Sequence, residues 1–294
     1  MTKIVPVLQG GLGNQLFIYS AARRLALQTG SELVLDNKSG FERDSRYKRT
    51  YALHHFLPHA RVAAPHERID SKVGTYKYFL RLRRFLTPNK LGRLLVEKGP
   101  EFDSSILSLK PEKDILYMEG YWQSANYFLD IESVIRSDLE QKPDLDSINK
   151  MHLESIKQKN STAIHVRFFN DYADEYAEMK QYYMRAFQYI EMVRPDSCYY
   201  IFGEGAEIIK SLIDLPKERV KVISHNRGDS GAYLDFFLMR QCKNLIIAKS
   251  TFSWWAAWLS ERKEKLVIAP KAIKTSGESI WAAKGMLPKE WIKL

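Results

Sequence analysis

Cysteine is scarce in this chain: Cys198 and Cys242 are the only two, too few for a disulfide framework and without the paired spacing of a zinc site. A reducing compartment is the simpler expectation. No uninterrupted stretch approaches the roughly 20 apolar residues that cross a bilayer, and the first apolar run is too short and too glycine-rich for a secretory signal. A GxxxxGKS or GxxxxGKT loop is missing, as are HExxH and any paired-carboxylate or histidine-carboxylate metal cluster. His54, His55, His59 and His66 share no ligand spacing and read as loop or surface residues. Helix-turn-helix, zinc-finger and single-strand aromatic modules are absent too, so no nucleic acid is expected despite a net charge of +10. What is left is a cytoplasmic globular protein of 294 residues, 45% hydrophobic and 27% charged, long enough for two α/β domains.

The positive charge is local. Arg43, Arg46, Lys48 and Arg49 form one group, and Lys77, Arg81, Arg83, Arg84, Lys90, Arg93 and Lys98 another. Tyr76, Tyr78, Phe79, Leu80, Leu82, Phe85 and Leu86 run between the latter. Two readings stand: a patch for a peripheral membrane surface, or an amphipathic helix with a solvated basic face.

Val7 to Gln15, VLQGGLGNQ, is a glycine-rich turn between an apolar run and a helix pattern. Such a turn brings backbone amides close to a ligand without side chains intervening. Leu16, Phe17, Tyr19, Ala22, Leu25, Ala26 and Leu27 supply one broad helical face, and Gly30 ends it. Pro6 is tolerated if its strand begins early or lies at an edge. Leu33 to Leu35 then reads as a second strand ending at Asp36. The dinucleotide fingerprint is incomplete, because Gly11 and Gly13 are followed by Leu16 where a third glycine belongs.

Further strands are expected at Ile115 to Met118, Ala163 to Phe168, Cys198 to Phe202, Val220 to Ile223 and, last, Leu245 to Ala248. Helices are expected over Asn126 to Leu139, Lys180 to Met192 and the tryptophan-rich segment after Ser253. The polar stretch Gln141 to Asn149, with Pro143, is the best domain connection, giving domains 1–145 and 146–294, the final helix packing back across the interface. His165 and Arg167 lie two residues apart, so a strand points both to one face. There an imidazole can read a base and a guanidinium hold a phosphate; the alternative is a histidine satisfied in the sheet and a surface arginine. Ser250, Thr251 and Ser253 stand at a helix entrance, where backbone donors and hydroxyls favour phosphate. Trp254 and Trp258 share a face and read as core. Tyr121, Trp122 and Gln123 at a strand exit offer an aromatic and polar acceptor surface, or packing of that exit.

GGLGNQLFIYSAARRLA, the abbreviated HVR element and DFFLMRQCKNLIIAKSTFSWWAAWL together resemble the inverting α-1,2-fucosyltransferases. The resemblance implies an α/β fold of two Rossmann-like domains with an interdomain cleft, of the GT-B glycosyltransferase type. It implies GDP-fucose as donor substrate and no cofactor or divalent metal, with an oligosaccharide or lipid-linked glycan as acceptor, at the inner membrane if the acceptor is lipid-linked. By the same resemblance His165 and Asp235 recognise guanine, Arg167 holds the diphosphate, and Ser250, Thr251, Phe252 and Ser253 enclose it. Gly11, Gly13 and Asn14 lie near the transferred sugar, with Asn14 positioning a substrate.

The family often has HxRRGDY where this chain reads His165, Val166, Arg167, Phe168, Phe169, Asn170, Asp171, Tyr172. The second arginine is a phenylalanine, and an extra residue is needed to match Asp171. Lys249 occupies a position often held by Asn and brings a compensating charge without the guanidinium fork. Asp171 and Glu204 are candidate supports for the loop, the ribose or proton transfer. A transferase for another nucleotide sugar, or a nucleotide-sugar or glycan-binding protein without turnover, remain the alternatives.

Overall fold

The computed structural model describes residues 1–69, 94–111, 114–168, 173–271 and 285–294. Most of the second basic group falls outside the described residues, and so does Asp171. The chain divides into two compact units, Met1–Gln141 with Ser276–Met286, and Lys142–Thr275 with Leu287–Leu294.

In the first unit, β1 (Lys3–Pro6) pairs in parallel with β2 (Glu32–Leu35) on one side and β5 (Ile115–Glu119) on the other. The short β3 (Arg61–Val62) and β4 (Leu94–Val96) complete the order β3-β2-β1-β5-β4. Pro6 therefore sits in a central strand, contrary to the edge expectation; it is the last residue of that strand, opposite Met118. Val7 takes over at once, its N–H donating to the Met118 carbonyl at 2.9 Å. Between β1 and β2, α1 (Leu12–Thr29) is buried over most of its surface, and Gly30 stops it in the left-handed conformation at φ 61°, donating to the Ala26 and Leu27 carbonyls. Leu27, placed on the buried face by the sequence pattern, is 42% exposed. The core on one side of this sheet includes Val5, Val7, Val34, Ala63, Ile69 and Tyr117.

Asn126 to Leu139 is not one helix. Two single 3₁₀ turns, Ala125–Tyr127 and Leu129–Ile131, precede α2 (Glu132–Asp138). Phe128, at φ −145°, separates the turns and is fully buried, so tertiary packing of this aromatic overrides the local helical pattern.

The second unit opens with α3 (Ser147–Gln158), capped by the Asp146 carboxylate, which accepts from the Asn149 N–H at 2.7 Å. The stretch expected as a connector thus contains a helix start. β6 (Asn160–His165), β7 (Ser197–Phe202), β8 (Val220–Ile223) and β9 (Asn244–Ile246) follow, with α4 (Ala173–Val193), α5 (Ala206–Lys210) and α6 (Gly228–Gln241) between them. After β9 come α7 (Thr251–Leu259), β10 (Leu266–Ala269) and β11 (Ile292–Lys293). The last strand expected from sequence is therefore followed by two more, and a closing helix is not among the described elements after β10. The order β11-β10-β9-β6-β7-β8, parallel throughout, is the doubly wound arrangement in which the chain steps outward one way from β6 and then the other. No described helix is long and apolar enough to cross a membrane.

Helix α7 is apolar all round. Trp254 and Trp258 stack at 6.1 Å with an 11° interplanar angle, as their four-residue spacing predicts, and Trp255 meets both edge-on at 5.2 Å. Trp291 from the C-terminus closes on Trp254 at 5.7 Å. Replacement of Trp254 by Ala is expected to cost about 3–5 kcal/mol in the stability of the second unit, measured as a lowered urea midpoint for the transition of that unit.

Candidate functional site

In an open parallel sheet, ligands bind beyond the carboxyl ends of the strands where the strand order reverses. In the second unit that point lies between β6 and β9, and the chain delivers His165 to Phe168 from one strand and Ile247 to Ser253 from the other. The β6 exit is seated by two glycines at the β7 exit. Gly203 has φ 97°, and a Cβ on it would lie 2.1 Å from the Val166 carbonyl oxygen; one on Gly205 would lie 2.5 Å from the Phe168 ring. Only glycine permits that approach.

His165 ends β6 at 7% exposure and Arg167 lies past the strand, so the two are joined by a strand exit rather than by a shared strand face. The Tyr183 hydroxyl spans them, donating to the His165 carbonyl at 3.0 Å and accepting the Arg167 N–H at 3.1 Å. Burial, reinforced by the Arg167 charge, pushes the His165 imidazole down to about 3, so it is neutral at physiological pH. Its Nδ1 is buried with no hydrogen-bond partner among the described residues. Its ring lies 5.3 Å from that of Phe252, which meets Phe236 at 5.4 Å.

The hydroxyl turn divides its work. Ser250 is the N-cap of α7, but its side chain makes no capping bond. The amides of Phe252 and Ser253 belong to the first turn, which has no intrahelical acceptors for them. Ser253 faces inward: its hydroxyl donates to the Ser250 carbonyl at 3.3 Å and accepts the Ala248 N–H at 3.2 Å, fully buried. It builds the turn, contrary to the expectation of a ligand-facing hydroxyl, while Thr251 and Phe252 remain half-buried and Lys249 is buried beside them. Glu204, at the β7 exit, is exposed.

Asp235 lies on α6, one residue before Phe236. The Asn226 side-chain amide donates to its Oδ1 at 2.8 Å. Burial pushes this carboxyl up to about 7, against the Asn226 hydrogen bond that favours the anion.

In the first unit the order reverses between β1 and β5, which brings together the glycine turn and Tyr121, Trp122 and Gln123. Gly10 has φ 71° and needs to be glycine, Gly11 caps α1, and Gly13 is buried in the first turn. The Gln123 amide donates to Asn14 Oδ1 at 2.8 Å, a direct link between the two strand exits. Tyr121 is 41% exposed and Trp122 1%. Trp122 therefore packs the strand exit, edge-on to Tyr127 at 5.6 Å, and does not present a face to an acceptor. Glu97 holds this exit from below, accepting the Tyr121 and Trp122 amides at 2.6 and 2.8 Å.

Sequence reasoning missed Gln15, although it closes the GGLGNQ motif. Fully buried, it donates to the Gly10 and Thr50 carbonyls and accepts the Ala52 N–H, each at 2.9 Å, so it ties the glycine turn to a segment 35 residues on. Its place at the end of the glycine motif, in the first turn of an apolar helix pattern, was the available signal. Asn226 and Asn149 gave none, since both sit in polar loop-like text.

A family model described as glycosyl transferase family 11 matches residues 101–294. The chain is 28% identical over 281 residues to the Escherichia coli O-antigen biosynthesis glycosyltransferase WbnK, covering 90% of this chain and 92% of that protein. It is likewise 28% identical over 292 residues to an Escherichia coli α-1,2-colitosyltransferase, covering 92% of each. Its fold is similar to that of NodZ α-1,6-fucosyltransferase, whose crystals were soaked with GDP-fucose, at a TM-score of 0.52 and 15% identity over 88% of this chain and 92% of that one.

The Asp235 carboxyl gives a pH signature. From the ordinary value of 3.8 up to about 7, the folded chain holds a proton there that the unfolded chain has released. Stability from this group is thus highest below pH 4 and falls as pH rises towards 7. Asp235→Asn, which cannot ionise, is expected to be more stable than the parent at pH 8 by on the order of 4 kcal/mol. Urea titrations of both proteins without nucleotide, from pH 4 to 8, should show the two curves converging at the acid end.

Proposed function

Because the chain belongs to glycosyl transferase family 11, we propose that this glycosyltransferase moves L-fucose from GDP-fucose to a glycan acceptor, forming an α-1,2 linkage with inversion. The observation that carries this reading is the grouping at the second unit's switch point: Arg167, neutral His165 and the first turn of α7 on the β6 and β9 exits, with α6, the helix that bears Asp235, packed on Phe252 through Phe236. A guanidinium and helix-entrance amides suit a diphosphate. A carboxylate suits guanine, which presents the N1–H and N2–H donors side by side. The α-1,2 linkage is supported by the colitosyltransferase relative and an O-antigen glycan as acceptor by the O-antigen relative; a lipid-linked form of that acceptor would bring the protein to the inner membrane.

In this scheme the acceptor hydroxyl oxygen attacks the anomeric carbon as the bond to the diphosphate oxygen breaks on the opposite side. The electron pair leaves with GDP. Arg167, Lys249 and the amides of Phe252 and Ser253 stabilise that developing charge, so no divalent metal is assigned a part. The acceptor's proton passes to a diphosphate oxygen. Asn14, held by Gln123, orients the acceptor; an amide is a poor base, and its work is positioning. Tyr121 supplies the exposed aromatic surface for the sugar.

A second reading keeps the reaction and changes the donor sugar. It is favoured by Phe168 in place of the family's second arginine and by a relative that transfers colitose.

The test is a panel of GDP-, UDP- and dTDP-sugars with glycan acceptors, following nucleoside diphosphate release and new product mass. Product with GDP-fucose alone is expected, and it should persist in excess EDTA. Arg167→Ala should lower donor-dependent turnover by about 100-fold or more. Product from another donor would move the assignment to the second reading, and unchanged turnover in Arg167→Ala would remove its phosphate role.

A further inference from the structure

Behind Asp235 runs a chain of amides that the proposed reaction does not use. Asn149, fully buried in the first turn of α3, and Asn226, just past β8, bond to each other reciprocally: each Nδ2 donates to the other's Oδ1 at 3.0 Å. The outer ends of the pair fix its polarity. Asn149 Nδ2 also donates to the Asp146 carboxylate at 3.2 Å, and the His225 Nε2 meets Asn149 Oδ1 at 3.1 Å. Flipping Asn149 would aim its carbonyl at the Asp146 anion, so its Oδ1 must face Asn226, and Asn226 must answer with Nδ2. That same Nδ2 group donates to Asp235 Oδ1 at 2.8 Å. The direction of the last bond is thus set by a helix cap three residues away along α3.

The backbone of Asn226 is placed just as firmly. A Cβ on Gly231 would lie 2.8 Å from the Asn226 carbonyl carbon and 3.2 Å from its Cα. Gly231 and Asp235 are four residues apart on α6, hence on one face. The loop therefore rests on α6 at Gly231, and its side chain reaches up one turn to Asp235. His225 is braced in turn by His152, stacked at 5.4 Å.

We propose that Asn226, oriented by Asn149 and seated on Gly231, is a positioning residue that occupies Asp235 Oδ1, aims the carboxylate at the donor's base and sets selectivity for a base with two adjacent N–H donors. The inference rests on the donor reading above, and it concerns groups that touch no substrate. Neither adenine nor uracil offers two adjacent ring and exocyclic N–H donors to one carboxylate, so a correctly aimed Asp235 discriminates and a swinging one does not. The anion also needs Asn226, because burial otherwise keeps the carboxyl protonated at neutral pH.

Calorimetric binding of GDP, IDP and UDP to the full chain tests it. Inosine keeps the N1–H and lacks the N2 amine, so GDP over IDP reads the second contact. The parent should prefer GDP. Asn226→Ala should lose about tenfold in GDP affinity while UDP affinity changes less than twofold, since the diphosphate contacts are untouched. Asn226→Ser, which keeps a donor hydroxyl, should recover part of the preference. Gly231→Ala, which displaces the loop and removes no polar group, should lose it again. Equal weakening toward all three nucleotides, or an unchanged GDP to IDP ratio in Asn226→Ala, would overturn the proposal. A parent that prefers UDP would instead overturn the donor reading.

Discussion

A parallel sheet wound in both directions from one strand must leave a gap beside that strand, because the two crossover helices depart to opposite faces. In both units the strand order reverses, and two of the chain's distinctive segments lie at the reversals: the glycine turn against the β5 exit in one, the β6 exit against the α7 entrance in the other. The rest of each fold keeps these exits in place. The tryptophan cluster fixes α7 in the second unit, so the amides at its start are held by the packing of the residues that follow them. Gly203 and Gly205 let the β6 exit lie on the β7 exit at a separation that any side chain would forbid.

The site also illustrates how burial sets charge. His165 lies against the Phe252 ring and Asp235 against the Asn226 amide, and burial drives their proton affinities in opposite senses. Each ends nearer its neutral form than it would be in water. Low-dielectric surroundings that cost little while the groups are neutral become a source of selectivity once a ligand with matching donors and acceptors arrives.

The strongly patterned parts of the chain were legible. The glycine turn with its following helix, the strand exits at His165 and Tyr121, and the stacked tryptophans all follow from period, capping and composition. Pro6 lies in a central strand, not at an edge, and the ladder resumes directly after it at Val7 and Leu8. Trp122 and Ser253 carried the right chemistry and point inward, a matter of φ 54° in one case and of a turn's own hydrogen bonds in the other. Asn149 and Asn226 were invisible, and Gln15 showed only its place in the glycine motif, since an amide's value lies in the partners that tertiary structure supplies. The start of α3 was hidden for the same reason, its polar first turn reading like a linker.

Phe168 stands where relatives often carry a second arginine. Its ring sits 4.6 Å from Tyr176 and 6.0 Å from Tyr183, over Gly205, as part of the second unit's apolar packing. A guanidinium restored there alone would enter a nest of rings shaped to a benzyl group, with Gly205 and both tyrosines already committed to it. The consequence is that Phe168 works in this chain as part of its apolar packing, and an arginine substituted for it alone would disturb the β6 and β7 exits before it could add a charge for phosphate.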